Sequence, residues 1–392
     1  MKPRALMISP ELPYPLQGGG ALRTASLLNY LARHHTVDLI LFRHLDSQRP
    51  LDSLPPGLVD RVMVLELPRH SRARLARVVR NTRRLLRGTP PLLSRFQGFG
   101  PQIASFLTGR QYRVAVLEHF WCAPYHAVIA PYSEATVMDL HNVESILHQT
   151  QAKAANSLAE RVAHQQFAGM YRRLEAQWLP KFSEVLTASE QDSGRIRAHT
   201  RRSVVYPNSI PFQLTPSVLE EEVIAFSGNF DYHPNQTAVA WFAKYVWPTL
   251  AARHRTLRWR LIGMNPESVR CLVSHLPRVE FTGPVPNAIE ELARARAVVV
   301  PLLSGSGTRL KIVEAWAAAR AVISTPLGAE GLPAENLLVA EPGDFLTNME
   351  ALLGDAALRN TLAARGRACY EASLTWDAAW QTLSGSCLAP MC

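Results

Sequence analysis

A chain of 392 residues exceeds what one hydrophobic core usually organises, so two domains of roughly 150 to 200 residues are expected. Its 47% apolar content can fill both, but no run approaches ~18 apolar residues and the opening "MKPRALMISPELP" does not read as a secretory signal, so a cytoplasmic chain is expected. A formal charge of +10 calls for an anionic partner, and five scattered cysteines without CxxC spacing argue against a disulfide framework or a zinc cluster.

The first half alternates short apolar runs with helical patterns. The runs are "RALMIS" from residue 4, "VDLILF" from 37, "RVMVLEL" from 61, "RVAVLE" from 113 and "ATVMDL" from 135. After the first of them, "GGGALRTASLLNYLARHH" keeps Leu22, Ala25, Leu28 and Leu31 on one helical face behind three glycines. Residues 69–87, "RHSRARLARVVRNTRRLLR", hold eight arginines and no acid, with Leu75, Val78, Val79, Leu85 and Leu86 at helical spacing. Two readings of this basic helix stand: it lies on an anionic membrane surface, or it packs its leucines inward and solvates its charges. A long helix is expected over 153–178, then "SEVLTAS" and "RSVVYPNSIPF", and a proline-rich connection at 207–216 marks the domain boundary.

The second half repeats this logic with "EVIAFSGN" from 222, "LRWRLIG" from 257, "VEFTG" from 279, "AVVVPLL" from 297, "RAVISTP" from 320 and "ENLLVAE" from 335. Helices are expected between them, among others over 235–252 and 309–319. Strands apolar on both faces and separated by helices imply parallel sheets covered on two sides. The fold class is therefore α/β: two doubly wound domains, 1–208 and 209–365, facing a central cleft, with a helical segment 366–392 that crosses back to the first.

The stretch "SGSGTRLKIVEAWAAARAVISTPLGAEG", 304–331, carries the chemistry. A loop with Gly305 and Gly307 runs into a helix that starts near Thr308, and a helix start offers free amides and a positive dipole end. Arg309 and Lys311 add full charges for phosphate oxygens. Glu314, a turn further on, suits two neighbouring hydroxyls such as those of a ribose. Together they describe a nucleoside diphosphate site.

With "FSGNFDYHPN", "LIGMNP" and "VEFTGPV" ahead of it, this stretch resembles the donor domain of the family 4 glycosyltransferases of GT-B fold. The first half is also similar, in "PELPYPLQGGGALRTASLLNYLARHH", "DLHNVES" and "PNSI". The resemblance implies that Glu314 is the second carboxylate of the family's paired motif, on the nucleotide ribose. The first carboxylate falls at Ser306, so sugar contacts pass to Ser306 and the amides of Gly307 and Thr308. The family's basic pair after "SGN" is missing, which leaves Arg309 and Lys311 to grip the diphosphate beside Gly228 and Asn229. On the other domain, His141, Asn142 and Glu144 past the end of the next strand are candidate acceptor-side residues by position, with Glu118 and Glu144 as candidate bases; there the resemblance puts Gly18, Gly19 and Gly20 against donor phosphates and His119 near the reacting sugar. It implies sugar transfer from a nucleotide sugar with retention of configuration, without metal or cofactor. The acceptor is a sugar, a lipid-linked sugar or a small molecule, as in polysaccharide or glycolipid assembly.

Two rival readings are an epimerase or phosphorylase of the same fold, and a non-enzymatic basic module binding lipid through 69–87. Nucleic acid is disfavoured, because the basic stretch has no interleaved aromatics.

Overall fold

The computed structural model describes residues 2–16, 18–44, 52–68, 88–155, 157–305 and 309–390. The basic stretch 69–87 lies outside the described residues. The chain divides into two compact units: Met1–Asn208 with Trp380–Cys392, and Ser209–Ala379.

The first unit is built on seven parallel strands: β1 (Arg4–Ser9), β2 (Thr36–His44), β3 (Arg61–Leu67), β4 (Tyr112–Glu118), β5 (Ser133–Asp139), β6 (Glu184–Thr187) and β7 (Ser203–Val205). They lie in the order β3-β2-β1-β4-β5-β6-β7. The apolar runs were the strands, and Ala5 to Ile8, Val114 to Leu117 and Val137 to Met138 are fully buried. The helix Gly19–His34 follows β1 and is buried over most of its circumference, including Arg23, Thr24 and Ser26. Its apolar face was legible from spacing; the buried polar residues beside it were not.

One expected helix is two. Glu144–Ala154 and Leu158–Trp178 replace the single helix over 153–178, because Ser157 caps the second by accepting from the Glu160 amide at 3.2 Å. The C-terminal residues pack into this unit. The Trp380 indole donates to the Ser26 carbonyl at 3.2 Å, the Arg33 guanidinium lies 4.0 Å over the Trp380 ring, and the Ser386 hydroxyl donates to buried Glu184.

The second unit holds six parallel strands: β8 (Val223–Ser227), β9 (Arg258–Ile262), β10 (Val279–Gly283), β11 (Ala297–Val300), β12 (Val322–Ser324) and β13 (Leu338–Val339). Their order is β10-β9-β8-β11-β12-β13. The helix expected over 235–252 breaks at Val246 into His233–Tyr245 and Trp247–Arg253, since Pro248 in the first turn of the second helix has no amide to continue the first. Both sheets reverse their strand order once, between β1 and β4 and between β8 and β11. In open parallel sheets the crevice beyond the carboxyl ends at that reversal is where ligands bind.

At the end of β9, Gly263 has φ 136° and a Cβ there would stand 2.0 Å from the Gly228 carbonyl oxygen. Gly263→Ala is expected to destabilise the chain by about 2–4 kcal/mol, measured by denaturant unfolding, since backbone meets backbone and neither can retreat.

Candidate active site

In the second unit β8 ends at Ser227, and Gly228 and Asn229 follow. The helix His233–Tyr245 brings Asn235 to that strand end; the helix Leu310–Ala317 brings Lys311 and Glu314. The Lys311 ammonium donates to the Asn235 side-chain oxygen at 2.6 Å and sits 4.4 Å from the Phe226 ring centroid. The Asn235 amide nitrogen in turn donates to the Asn229 carbonyl at 2.8 Å. A Cβ on Gly228 would fall 2.7 Å from the Asn235 amide nitrogen and 3.4 Å from the Lys311 nitrogen. Glycine is thus what lets the strand end, the amide and the ammonium share one spot.

Burial pushes Lys311 down to about 7, with Arg309's charge adding to the shift and Glu314 opposing it. Burial likewise raises Glu314 to about 7, against Lys311 and the Ser227 hydroxyl. Arg309 stands just before the helix, only 6% exposed, with Nη2 3.5 Å from the Leu327 carbonyl. Its Nη1 is 3.2 Å from where a Cβ on Gly305 would be, so Gly305 makes room for the guanidinium. The Asn229 side-chain oxygen accepts from Asn265 at 2.8 Å and from the Asp231 amide at 3.0 Å, and so shapes its own loop. Ser306, Gly307 and Thr308 lie outside the described residues. The helix begins at Leu310, with Arg309 as its cap residue, as expected for the span 309–319.

In the first unit the pairing of β4 with β5 aligns Glu118 with Asp139, two carboxylates on neighbouring strand ends. Both are fully buried, and in-register residues share a face, so their repulsion needs compensation. Arg23 provides it on one side. Its Nε donates to Asp139 Oδ2 at 2.8 Å and its Nη2 to Oδ1 at 2.5 Å. Its Nη1 donates to the Tyr206 carbonyl at 2.7 Å and to the Asn208 side-chain oxygen at 2.8 Å. Glu118 accepts from the Thr24 hydroxyl at 2.7 Å.

His141 stands opposite both acids, its Nε2 3.4 Å from Asp139 Oδ2 and 3.8 Å from Glu118 Oε1. Burial lowers its pKa, but hydrogen bonds and charges of Asp139 and Glu118 outweigh this and raise it to about 9. His119 packs against it, the rings tilted by 30° with centroids 3.7 Å apart, and stacks on Trp121 at 4.5 Å. Burial and the neighbouring imidazolium lower the His119 pKa, so that ring stays neutral. Its Nε2 lies 3.4 Å from Glu11 Oε1, and its backbone takes φ 57°, a strained setting at a strand end. Glu144 is 2% exposed, and burial together with the Glu175 charge raises it to about 8, so it carries its proton at neutral pH. Asn142 is partly buried.

Gly18 caps the first helix with φ 88°, Gly19 opens it, and Gly20 makes room: a Cβ there would collide with the Glu11 carboxylate. The structure therefore gathers His119, His141 and Glu144 near one strand-end cluster and Lys311, Glu314 and Gly228 at another. Sequence reasoning missed Glu11, Arg23, Thr24, Trp121, Asp139 and Asn235. Arg23 inside an apolar helical face and Asp139 inside an apolar run were the signals available.

Two sets of side chains, Glu11–His119–His141 and Glu118–Asp139–His141, bring ligand-type atoms within 4.8 Å of one another. A cation there would compete with charges already present, because Arg23 occupies both Asp139 oxygens and His141 is itself protonated. The described cysteines, Cys122, Cys271, Cys369 and Cys387, are free thiols. Among the described residues no helix is long and apolar enough to cross a membrane.

Solved structures share this architecture throughout. Sucrose-phosphate synthase from Thermosynechococcus elongatus superposes with TM-score 0.73 at 16% identity, covering 98% of each chain. An E. coli trehalose-6-phosphate protein bound with UDP-2-fluoro glucose gives 0.66 at 12%, covering 99% of each. Anabaena HepE in complex with UDP and glucose gives 0.64 at 15%, covering 98% of this chain and 99% of the other. No curated protein sequence matches the chain. Two parallel sheets with flanking helices, each presenting a polar cluster at its strand reversal, thus form a GT-B fold. Residues 221–355 match the sequence profile of the glycosyl transferases group 1.

Proposed function

We propose that the protein moves a sugar from a nucleoside diphosphate sugar to an acceptor hydroxyl, with retention of configuration and without a divalent metal. The observation that carries this reading is Lys311, held by Asn235 against Gly228 at the end of β8 and one turn from Glu314, within the matched segment. The bond from the anomeric carbon to the diphosphate breaks and the bond to the acceptor oxygen forms. The departing phosphate oxygen takes the acceptor's proton. Negative charge grows on the diphosphate as it leaves, and Lys311, Arg309 and the helix start stabilise that charge electrostatically. Glu314 takes the ribose hydroxyls. Neutral His119 offers one ring nitrogen to the reacting sugar, and imidazolium His141 behind it keeps it neutral. The acceptor class, a place in polysaccharide or glycolipid assembly, and membrane contact through 69–87 belong to the same proposal.

Thermal unfolding with UDP-, GDP-, ADP- and TDP-sugars in EDTA tests it. A native-state ligand at about 100 times its Kd stabilises by about 2.7 kcal/mol, so one nucleotide class should raise Tm by several degrees. UDP-sugars are the first arm, since two similar structures hold UDP compounds. Absence of any shift, or product that forms without an acceptor, sinks the transfer reading.

A further inference from the structure

We propose that Arg23 is a positioning residue of the first unit's cluster: its guanidinium holds Asp139 ionised and oriented so that Asp139 faces His141. The inference rests on the transfer reading only for what His141 does in the reaction.

Arg23 sits in the helix Gly19–His34 between Leu22 and Thr24, 2% exposed, a burial that arginine adopts only when its donors are met. They are met by two separate segments. Asp139 at the end of β5 takes Nε and Nη2, and Tyr206 and Asn208 beyond β7 take Nη1. Arg23 also lies 4.8 Å over the Tyr206 ring, whose hydroxyl donates to Ser26 at 2.7 Å on the same helix. One planar fork therefore ties the helix that follows the glycine loop to two strand ends. A lysine's single ammonium lacks the geometry for both oxygens of a carboxylate.

The charges decide what the tie does. Asp139 faces Arg23 from the helix, Glu118 from β4, His141 from the chain just past β5, and the Tyr206 ring; Glu11 and His119 stand one contact further. Two buried carboxylates balance two cations, Arg23 and His141. Without Arg23 the cluster holds one unpaired negative charge in a buried place, and Asp139 relieves it by binding a proton and ceasing to be the anion opposite His141.

Arg23→Met, Arg23→Lys, Asp139→Asn and the Arg23→Met/Asp139→Asn pair in the full chain test this by unfolding across pH and by spectra of 15N-labelled histidine. In the wild type the charges and hydrogen bonds of Arg23 and His141 hold Asp139 well below the usual carboxylate range against its burial; loss of Arg23 should let burial raise its folded-state pKa above the unfolded value. The stability lost in Arg23→Met should then be greatest at alkaline pH and shrink as pH falls. Adding Asp139→Asn should recover most of that loss, a non-additivity that distant packing changes do not show. The His141 ring, protonated up to about pH 9 in the wild type, should titrate closer to the ordinary 6.5 in Asp139→Asn. In sugar transfer the acid limb of the pH profile should move up by about one unit in Arg23→Met, with the KM for nucleotide sugar unchanged. A deficit in Arg23→Met that ignores pH and is not relieved by Asp139→Asn would make Arg23 simple packing and overturn the proposal. Should Arg23→Met not fold, folding of the double variant supports the proposal, and its failure beside a folded Arg23→Lys of wild-type pH profile overturns it. If the wild type turns over no nucleotide sugar, the transfer reading fails while the unfolding and histidine spectra still decide on Arg23.

Discussion

Lys311→Ala should cut turnover about 10²–10³-fold while the protein stays folded, the loss that follows when one group stabilising a developing charge is removed. The helix that carries Lys311 packs through Ile312, Val313 and Trp316, all fully buried, so its place does not depend on the lysine. Truncation leaves the Asn235 oxygen without its donor, a cost of about 1–3 kcal/mol, visible in unfolding but small beside the catalytic effect. The free enzyme holds Lys311 near pKa 7 through burial and the charge of Arg309, and a bound diphosphate supplies the opposite charge that raises it. Nucleotide binding should therefore take up a proton and weaken as pH rises from about 7 toward lysine's ordinary 10.5. Calorimetry in buffers of different ionisation enthalpy reads that proton directly. Because Glu314 titrates near 7 as well, Lys311→Ala is the control: uptake that persists in the variant belongs to another group. Normal turnover in Lys311→Ala would remove the proposed role.

His119→Ala should lower kcat about 10²–10³-fold with little change in the KM for the nucleotide sugar, since the residue belongs to the first unit's cluster and not to the Lys311 site. The histidine is 4% exposed, neutral, and held between Trp121 and His141 with a strained backbone at φ 57°. Such strain persists where the surrounding structure over-determines it, and alanine relieves none of it, so stability should fall modestly as well. His141 sets the alkaline side. Its raised pKa contributes stability that is complete below 6.5 and is lost as pH rises through about 9. Turnover should fall across the same upper range in the wild type, and His141→Gln should flatten that limb. An alkaline limb identical in His141→Gln and wild type would show that another group sets it.

Much of the fold was readable before any coordinates. Strands buried on both faces write themselves as unbroken apolar runs, so β1, β2, β4, β8 and β11 stood out from composition alone. The proximity of Lys311 to Glu314 was also readable, because helical spacing brings them together within a few residues. What could not be read were positions defined by partners far along the chain. Asn235 meets Lys311 across 76 positions and Arg23 meets Asp139 across 116. Element ends were similarly hidden: Ser157 and Pro248 each divided a helix that periodicity alone would have run through.

Local chemistry along the chain was enough to establish alternating parallel α/β units, a helix after the fourth strand of the second unit, and histidines at two successive strand ends. The charge state of that second cluster was settled by folding alone. Register sets Glu118 beside Asp139, and a helix more than a hundred positions upstream delivers the guanidinium that neutralises one of them. Electrostatic compensation acts through space over a few ångströms, and distance along the chain carries no record of it.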